Sequence, residues 1–565
     1  MCLELIELPD DILDTLRMIK DARHKTINFG SSFFAQNVLA PRNGNHSLPM
    51  TLPFEIVFNY LGKLQQLERN DSLFQHYGRA YDENDFMVAG DMGPRTPRFS
   101  LFEVSAIVIR DQLQFSFTYN KNMQHQSRIS SWISECESTL HQALDALQHD
   151  SQLEVMPSDY PLLSTSQRSL RVLFEETLPK LGVHGRDLVE DIYPCSSMQE
   201  GIMFSQLRDP SAYILHTIFN VKDTRNNEPI NIPRLRKAWQ MVVNRHSILR
   251  TIFVDSSSKD GSFDQVVLRD LHADMVELDC SDSNILEQLN KVSLEETNRK
   301  HSMKHLHQVT VCKAPNGSAV MKLEMNHAII DGASVGVLLR DFSLAYERQL
   351  STQPGPSYRD YIAYMRSHAN DEGVQFWTQY LRGIKPCHLP ASGQGTKELK
   401  SVKMDFHRFA ELRQLGQRES VTLANLILTA WAIVLREFTG TQDVCFGYLS
   451  AGRDAPVAGI QEAVGIFINM LCCRVQFSQG QSLADTFKGV QDDFFRSIPY
   501  QSCSLATVQN ELGLDGQMLF NSALSIQNKM PSANPGTDAL SFDIQQAYDP
   551  SEVSATPYSY ISFKH

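Results

Sequence analysis

The segment Met325-Asn326-His327-Ala328-Ile329-Ile330-Asp331-Gly332 constrains this chain more than any other, because two unlike periodicities meet in it. Before it, Val320, Leu323 and Met325 alternate imperfectly with Lys322 and Glu324, the pattern of a half-buried strand. After it, Val335, Leu338, Leu339, Phe342, Ala345 and Tyr346 share one helical face, with Ser334 placed to act as the N-cap. His327 therefore sits where a rigid strand ends and a loop opens.

A histidine followed four residues later by an aspartate is weak evidence alone, and the chain supplies its own control. His141 and Asp145 have the same spacing, but Ala146 follows and the segment reads as an amphipathic helix, so that pair belongs to a surface. The junction at His327 suggests acyl transfer. An imidazole of ordinary pKa, ~6.5, can hold an amine or take its proton near neutral pH, which carboxylates and lysine do less readily.

Composition removes several other classes. The net charge of -13 argues against a nucleic-acid footprint, and no long basic stripe offsets it. With 565 residues, 42% of them apolar and 21% charged, three or four ordinary compact units are expected. The ten cysteines show neither CxxC spacing nor paired histidines, so no metal centre is expected; the adjacent Cys472-Cys473 lies in an apolar run and reads as buried thiols. Acidic residues stand where a signal peptide would carry basic ones, which implies a cytoplasmic protein. Val421 to Leu435 is interrupted by Thr422, Asn425 and Thr429 and falls short of the ~20 residues a bilayer crossing needs, so a buried helix is expected and no membrane partner.

Further motifs occur in a fixed order from Asp191 onward. They are Asp191-Ile192-Tyr193-Pro194-Cys195-Ser196-Ser197-Met198-Gln199-Glu200-Gly201, Arg245-His246-Ser247-Ile248-Leu249-Arg250-Thr251, and Asn326 to Gly332. Tyr358-Arg359-Asp360-Tyr361 follows with Phe376-Trp377 and Tyr380-Leu381, then Gly452-Arg453-Asp454 with Val464 to Asn469, then Tyr500 to Leu505 and Phe520 to Gln527. In this order they resemble the condensation domain of nonribosomal peptide synthetases, especially the fungal branch, over roughly two-thirds of the chain. The usual pair of histidines is here Asn326-His327, and the family's chemistry belongs to the second position. Asparagine offers a donor and an acceptor at the strand end.

The first 150 residues lack such a histidine motif. Pro53 to Gly62, the helix-like Asp11 to Ala22 and the strand-like pair Phe102 to Ile109 and Leu113 to Tyr119 resemble the C-terminal lobe of an epimerization domain, a relative of condensation domains; Tyr60 reads as packing. The expected organisation is a fragment of that lobe at 1–150, a linker with a short helix at 151–190, a first condensation lobe at 191–350 and a second at 351–565 that stops before its closing strand and helix. The fold implied is α/β (α+β), a chloramphenicol acetyltransferase-like, two-lobed V-shaped domain preceded by a partial lobe of the same type.

The resemblance implies that His327 is catalytic and that Asn326, Asp331, Gly332 and Arg453 support the site. Asp331 would pair with Arg453 because a charge buried there must be compensated, and Gly332 would let a substrate arm approach the backbone. Ser334 and Asn469 are candidate supporting donors, and Cys195, Ser196 and Ser197 read as helix-capping residues rather than nucleophiles. The implied reaction joins a donor acyl thioester to an acceptor amine, each carried on a 4'-phosphopantetheine arm by a peptidyl carrier domain, with adenylation domains of the same synthetase as further partners. No cofactor would bind this chain directly. A cyclising terminal domain, a stand-alone acyltransferase using coenzyme A thioesters, and an inactive gene-fragment product stand beside that reading.

Overall fold

The computed structural model describes residues 11–25, 55–63, 100–109, 112–149, 155–225, 229–258, 261–273, 275–278, 285–300, 303–313, 319–368, 371–389, 406–514, 517–527, 540–548 and 559–564. The chain divides into two units, Met1–Glu154 and Val155–His565.

The first unit contains α1 (Ile12–Lys25), β1 (Ile56–Lys63), β2 (Phe102–Ile109), β3 (Gln112–Tyr119) and α2 (Gln126–His149). β1 runs parallel to β2, and β2 pairs antiparallel with β3. Trp132 of α2 packs on the rings of Phe102 and Phe117, covering Val104 and Ala106. Tyr60 is 61% exposed rather than packed: it lies on the edge strand, outside the cover that α2 gives β2 and β3. His141 and Asp145 are both exposed on α2, as a surface pair should be. Of the motif at Pro53 to Gly62, residues 53 and 54 lie outside the described residues.

In the second unit the labelled elements are β4 (Val189–Pro194), α3 (Ser197–Arg208), β5 (Ile214–Asp223), α4 (Ile232–Arg245), β6 (Thr251–Asp255), β7 (Phe263–Leu268), β8 (Met275–Leu278), β9 (His307–Lys313), β10 (Ala319–Asn326) and α5 (Gly332–Tyr346). They continue as α6 (Tyr358–His368), α7 (Asp371–Tyr380), α8 (Leu423–Thr439), β11 (Asp443–Ser450), β12 (Asn469–Gln476), α9 (Leu483–Ser497), β13 (Ser522–Gln527), β14 (Leu540–Tyr548) and β15 (Ser559–Lys564). The strands form open sheets of order β14-β5-β10-β9-β8, β12-β11-β13-β15 and β4-β7-β6, giving a mixed α/β architecture.

Two main cores divide this unit. One packs α4 and α5 on the first sheet through Trp239, Val242, Leu338 and Phe342; the other packs α8 and α7 on β11 and β12 through Leu428, Leu435, Trp377 and Phe446. The core boundary does not follow residue 350. Tyr358, Tyr361 and Ile362 of α6 and Ile460 to Phe467 belong to the first core, and β14 pairs antiparallel with β5 of the first sheet. Residues 155–190, expected to be a linker, also enter that core: Leu170, Leu173, Leu178 and Val189 are buried, because their apolar spacing is spent on packing rather than on a free helix.

β10 also departs from the half-buried pattern. Lys322 and Glu324 are 1% and 0% exposed and 3.2 Å apart, since helices over Ile285–Lys291 and Leu294–Lys300 sit over their face of the sheet. The ammonium donates to the carbonyls of Leu289 and Val292 at the end of one helix, and the carboxylate accepts from the Leu294 amide at the start of the next. Each charge thus meets the helix end of opposite polarity.

No single helix among the described residues is long and apolar enough to cross a membrane, and α8 buries Asn425, Leu426, Leu428 and Thr429. Cys472 and Cys473 are buried thiols.

Candidate active site

β10 ends at Asn326, and His327 to Ile329 form one 3-10 turn before α5. The Asn326 carboxamide does two things there. Its Oδ1 accepts from the Ala328 amide at 2.9 Å, capping the turn, and its Nδ2 donates to Gln206 Oε1 of α3 at 3.0 Å. Tyr213, held in the left-handed region at φ 59, turns its carbonyl to accept the His327 amide at 2.8 Å.

The His327 side chain is half-buried, and its Nδ1 lies 2.9 Å from the Ile330 carbonyl oxygen. A carbonyl accepts only, so Nδ1 carries the proton in the neutral ring and the lone pair resides on Nε2. That tautomer suits a group that must accept a proton or hold an amine.

Gln199, in the turn after the α3 N-cap, is wholly buried and braces the His327 turn from below. Its Oε1 accepts from the Ser196 amide at 2.9 Å, and its Nε2 donates to Gln265 Oε1 at 2.8 Å and to the Ala328 carbonyl at 2.9 Å. Ser196 is the N-cap of α3, and burial pushes the Cys195 thiol well above its ordinary value, so this segment is structural.

Ser334 is not the N-cap of α5. Asp331 holds that position, its Oδ1 accepting from the Ser334 amide and hydroxyl at 2.8 Å each. The carboxylate outcompetes the hydroxyl as an acceptor at the positive helix end. Asp331 is 1% exposed; its Oδ2 takes the Phe467 amide at 3.0 Å, and Arg453 Nη2 lies 3.4 Å from Oδ1.

Arg453 also donates to Ser334 Oγ at 2.8 Å and to the Ala463 carbonyl at 3.1 Å, and its guanidinium stacks 4.3 Å from the centre of the Phe467 ring. Ser334 Oγ also lies 2.8 Å from the Gly465 carbonyl oxygen, the alternative acceptor for its single proton. Glycine is required at two points of this loop. At Gly452, φ is +64 and a Cβ would fall 1.9 Å from the Phe467 carbonyl oxygen; at Gly465 it would fall 2.3 Å from the Tyr358 ring.

Gly332 differs, because a Cβ there would meet no atom within 4 Å and packing does not demand glycine. Asn469 donates to Tyr361 Oη at 3.0 Å, and none of its described bonds reaches His327. Burial pushes the Tyr361 phenol up to about 12 against the lowering effect of that bond, which keeps it a neutral donor to the Phe467 carbonyl.

The structure therefore groups the candidate residues in two sets. Asn326 and His327 belong to the turn; Asp331, Ser334 and Arg453 form the junction with the 452–467 loop, which Asn469 flanks. Sequence reasoning passed over Gln199, Gln206, Tyr213 and Gln265. Gln199 had a visible signal, since Ser196-x-x-Gln199 is a capping box. The network around Asp341 was also missed: this 2% exposed residue accepts from Arg245 Nε at 3.1 Å, His246 Nε2 at 3.0 Å and Arg340 Nη2 at 2.9 Å. Arg340 pairs onward with Glu462. Among the described residues, no group of three or more His, Cys, Asp or Glu is placed to hold a metal.

A family model for the condensation domain matches residues 189–562. The chain is 52% identical over 550 residues to nonribosomal peptide synthetase 1 of Aspergillus fumigatus and 46% identical to nonribosomal peptide synthetase nlsA of Emericella nidulans. Each alignment takes in 97% of this chain and 9% of the relative, so the chain spans less than a tenth of their length. Among solved structures, the condensation domain of the Monacolin K polyketide synthase MokA superposes with a TM-score of 0.54 at 16% identity, covering 67% of this chain and 90% of that one. A structure described as holo T3CT gives 0.54 at 21% identity, covering 70% and 88%. These likenesses concern the fold.

Proposed function

Because the chain belongs to the condensation-domain family, we propose that it joins a donor acyl or peptidyl thioester to the amine of an acceptor aminoacyl thioester, forming a peptide bond in nonribosomal peptide synthesis. Both substrates arrive on the 4'-phosphopantetheine arms of peptidyl carrier domains, loaded by adenylation domains of the same synthetase, in the cytoplasm. The stand-alone, cyclising and inactive readings are not favoured by relatives that are themselves peptide synthetases.

The observation that carries this reading is the 2.9 Å approach of His327 Nδ1 to the Ile330 carbonyl, from which the proton is assigned to Nδ1 and the lone pair to Nε2. The acceptor amine donates to Nε2 and is held in line with the thioester carbonyl; as the C–N bond forms, the proton passes to Nε2 and the pantetheine thiolate leaves. Open space over Gly332 leaves room for a substrate arm beside the turn.

The first unit is part of the same proposal, as the C-terminal piece of an epimerization-type lobe. Phe58-Asn59 in β1 and Phe520-Asn521 just before β13 each mark a strand that pairs parallel with a strand some thirty to forty residues later, β2 in one case and β15 in the other. Lacking a histidine motif, residues 1–150 catalyse no exchange of a substrate α-proton with water. An epimerase upstream supplies mixed stereoisomers, so the condensation step selects a D-configured donor residue and an L-configured acceptor.

The test uses matched D- and L-donor thioesters on one carrier protein and an L-aminoacyl acceptor on a second. Wild-type protein forms the amide and prefers the D-donor. His327→Ala abolishes most product while Asn326→Ala is milder. Equal losses would remove the catalytic assignment from His327, and an L-donor preference would overturn the stereochemical part alone.

A further inference from the structure

We infer that Gln199 is a positioning residue for His327, acting from 128 positions earlier in the chain through the carbonyl of Ala328. The inference rests on the reaction proposed above and adds to it the residue that sets the orientation of the base. Each peptide unit around His327 has its own anchor. The His327 amide is held by the Tyr213 carbonyl, the Ala328 amide by Asn326 Oδ1, and the Ala328 carbonyl by Gln199 Nε2.

The first two anchors come from strand ends, Tyr213 just before β5 and Asn326 closing β10. Gln199 does not. Its carboxamide is oriented by the Ser196 amide, which admits only an acceptor and so directs Oε1 to the α3 cap and Nε2 to the turn. Gln265 takes the second Nε2 proton and is fixed in turn by donating to the Pro194 carbonyl at 3.1 Å.

Ala328 is wholly buried, so its carbonyl finds no water when that donor is removed. The turn then rotates to seek another donor, and the rotation carries the Ile330 carbonyl away from Nδ1. The ring loses the constraint that keeps its lone pair on Nε2. Misplacement of a reacting group by about 1 Å costs on the order of 10²-fold in rate.

The test compares Gln199→Met with Val242→Ala, a first-core packing variant far from the turn in chemistry, chosen because both lower the melting temperature. Ring nitrogens are read by NMR of the 15N-histidine-labelled full chain, with His327 identified by its loss in His327→Gln. Turnover is read with a panel of N-acetyl-D-aminoacyl thioesters of N-acetylcysteamine and L-leucinamide. Wild type and Val242→Ala show the Nδ1–H tautomer; Gln199→Met shows an averaged signal, with kcat down on the order of 10²-fold and KM changed by less than about twofold.

If Gln199→Met does not fold, Gln199→Asn keeps a neutral amide in the pocket, is one methylene too short to bond both Ser196 and Ala328, and gives the same readout. An unshifted tautomer with kcat no lower than that of Val242→Ala overturns the inference. If wild type turns over none of the thioesters, the reaction assigned above fails, while the tautomer comparison still decides the role of Gln199.

Discussion

The turn that presents His327 and the junction that begins at Asp331, four residues further on, are held by opposite chemistry. The turn is fixed by neutral amides from Gln199, Gln206 and Tyr213. The junction is fixed by charge, with Asp331 and Arg453 both almost fully buried, Asp331 bonded to the Phe467 amide across the junction and Arg453 to the Ala463 carbonyl of its own loop. A neutral hydrogen bond contributes roughly 1 kcal/mol net, so a turn built from several can be adjusted in small steps. A buried charge whose partner is lost costs several times more. The site thus joins an adjustable presenter to a foundation that tolerates no change.

The largest expected effect tests the foundation. Asp331→Asn leaves the Arg453 charge uncompensated and should cost about 3–5 kcal/mol in urea unfolding, with loss of product formation. Adding Arg453→Met to Asp331→Asn should return part of that stability; a double variant as unstable as the sum of the singles would deny that the two charges act together. Gly452→Ala follows at about 1–3 kcal/mol, from the positive φ and the overlap with the Phe467 carbonyl. A melting temperature equal to wild type would mean that the loop moves freely.

Acid should test the second charged network, the one centred on Asp341. Burial works to raise the Asp341 pKa, but His246 and Arg340 outweigh it and hold the carboxyl below its ordinary value of 3.8. A carboxylate depressed on folding adds stability above its unfolded pKa and loses it as pH falls through the folded value. Stability from Asp341 should therefore hold through pH 5 and decline below about pH 4, and Asp341→Asn should flatten that limb of the unfolding curve. The smallest effect belongs to the bond between Gln206 and Asn326 at the edge of the turn. Gln206→Leu removes one neutral acceptor from Asn326, about 1 kcal/mol, and should lower product formation less than tenfold. A loss as large as that of Asp331→Asn would erase the contrast.

The motif order made the architecture legible, because each motif is local and its residues keep their spacing. Placement of the chain across the two cores was not. Nothing in Leu540 to Tyr548 reveals that its strand partner is β5, since pairing register depends on a sheet that the strand itself does not encode. Lys322 and Glu324 misled for a related reason: two charges on alternate positions read as a solvent face, and only the helices docked over them make the pair a buried one. His327 and Asp331 could be found from their own segment. Gln199 required knowledge of a carbonyl far along the chain.

The crossing of β14 also has a consequence for biosynthesis. β5 leaves the ribosome more than three hundred residues before the strand that completes its open side. At ~5–20 residues per second, that interval is roughly 15 to 60 s. Throughout it the nascent first lobe carries an unpaired edge, the kind of surface on which chains join one another. A polysome bearing many copies would hold these edges close together, so the vectorial order of synthesis sets a window in which chaperone cover decides the yield of folded protein.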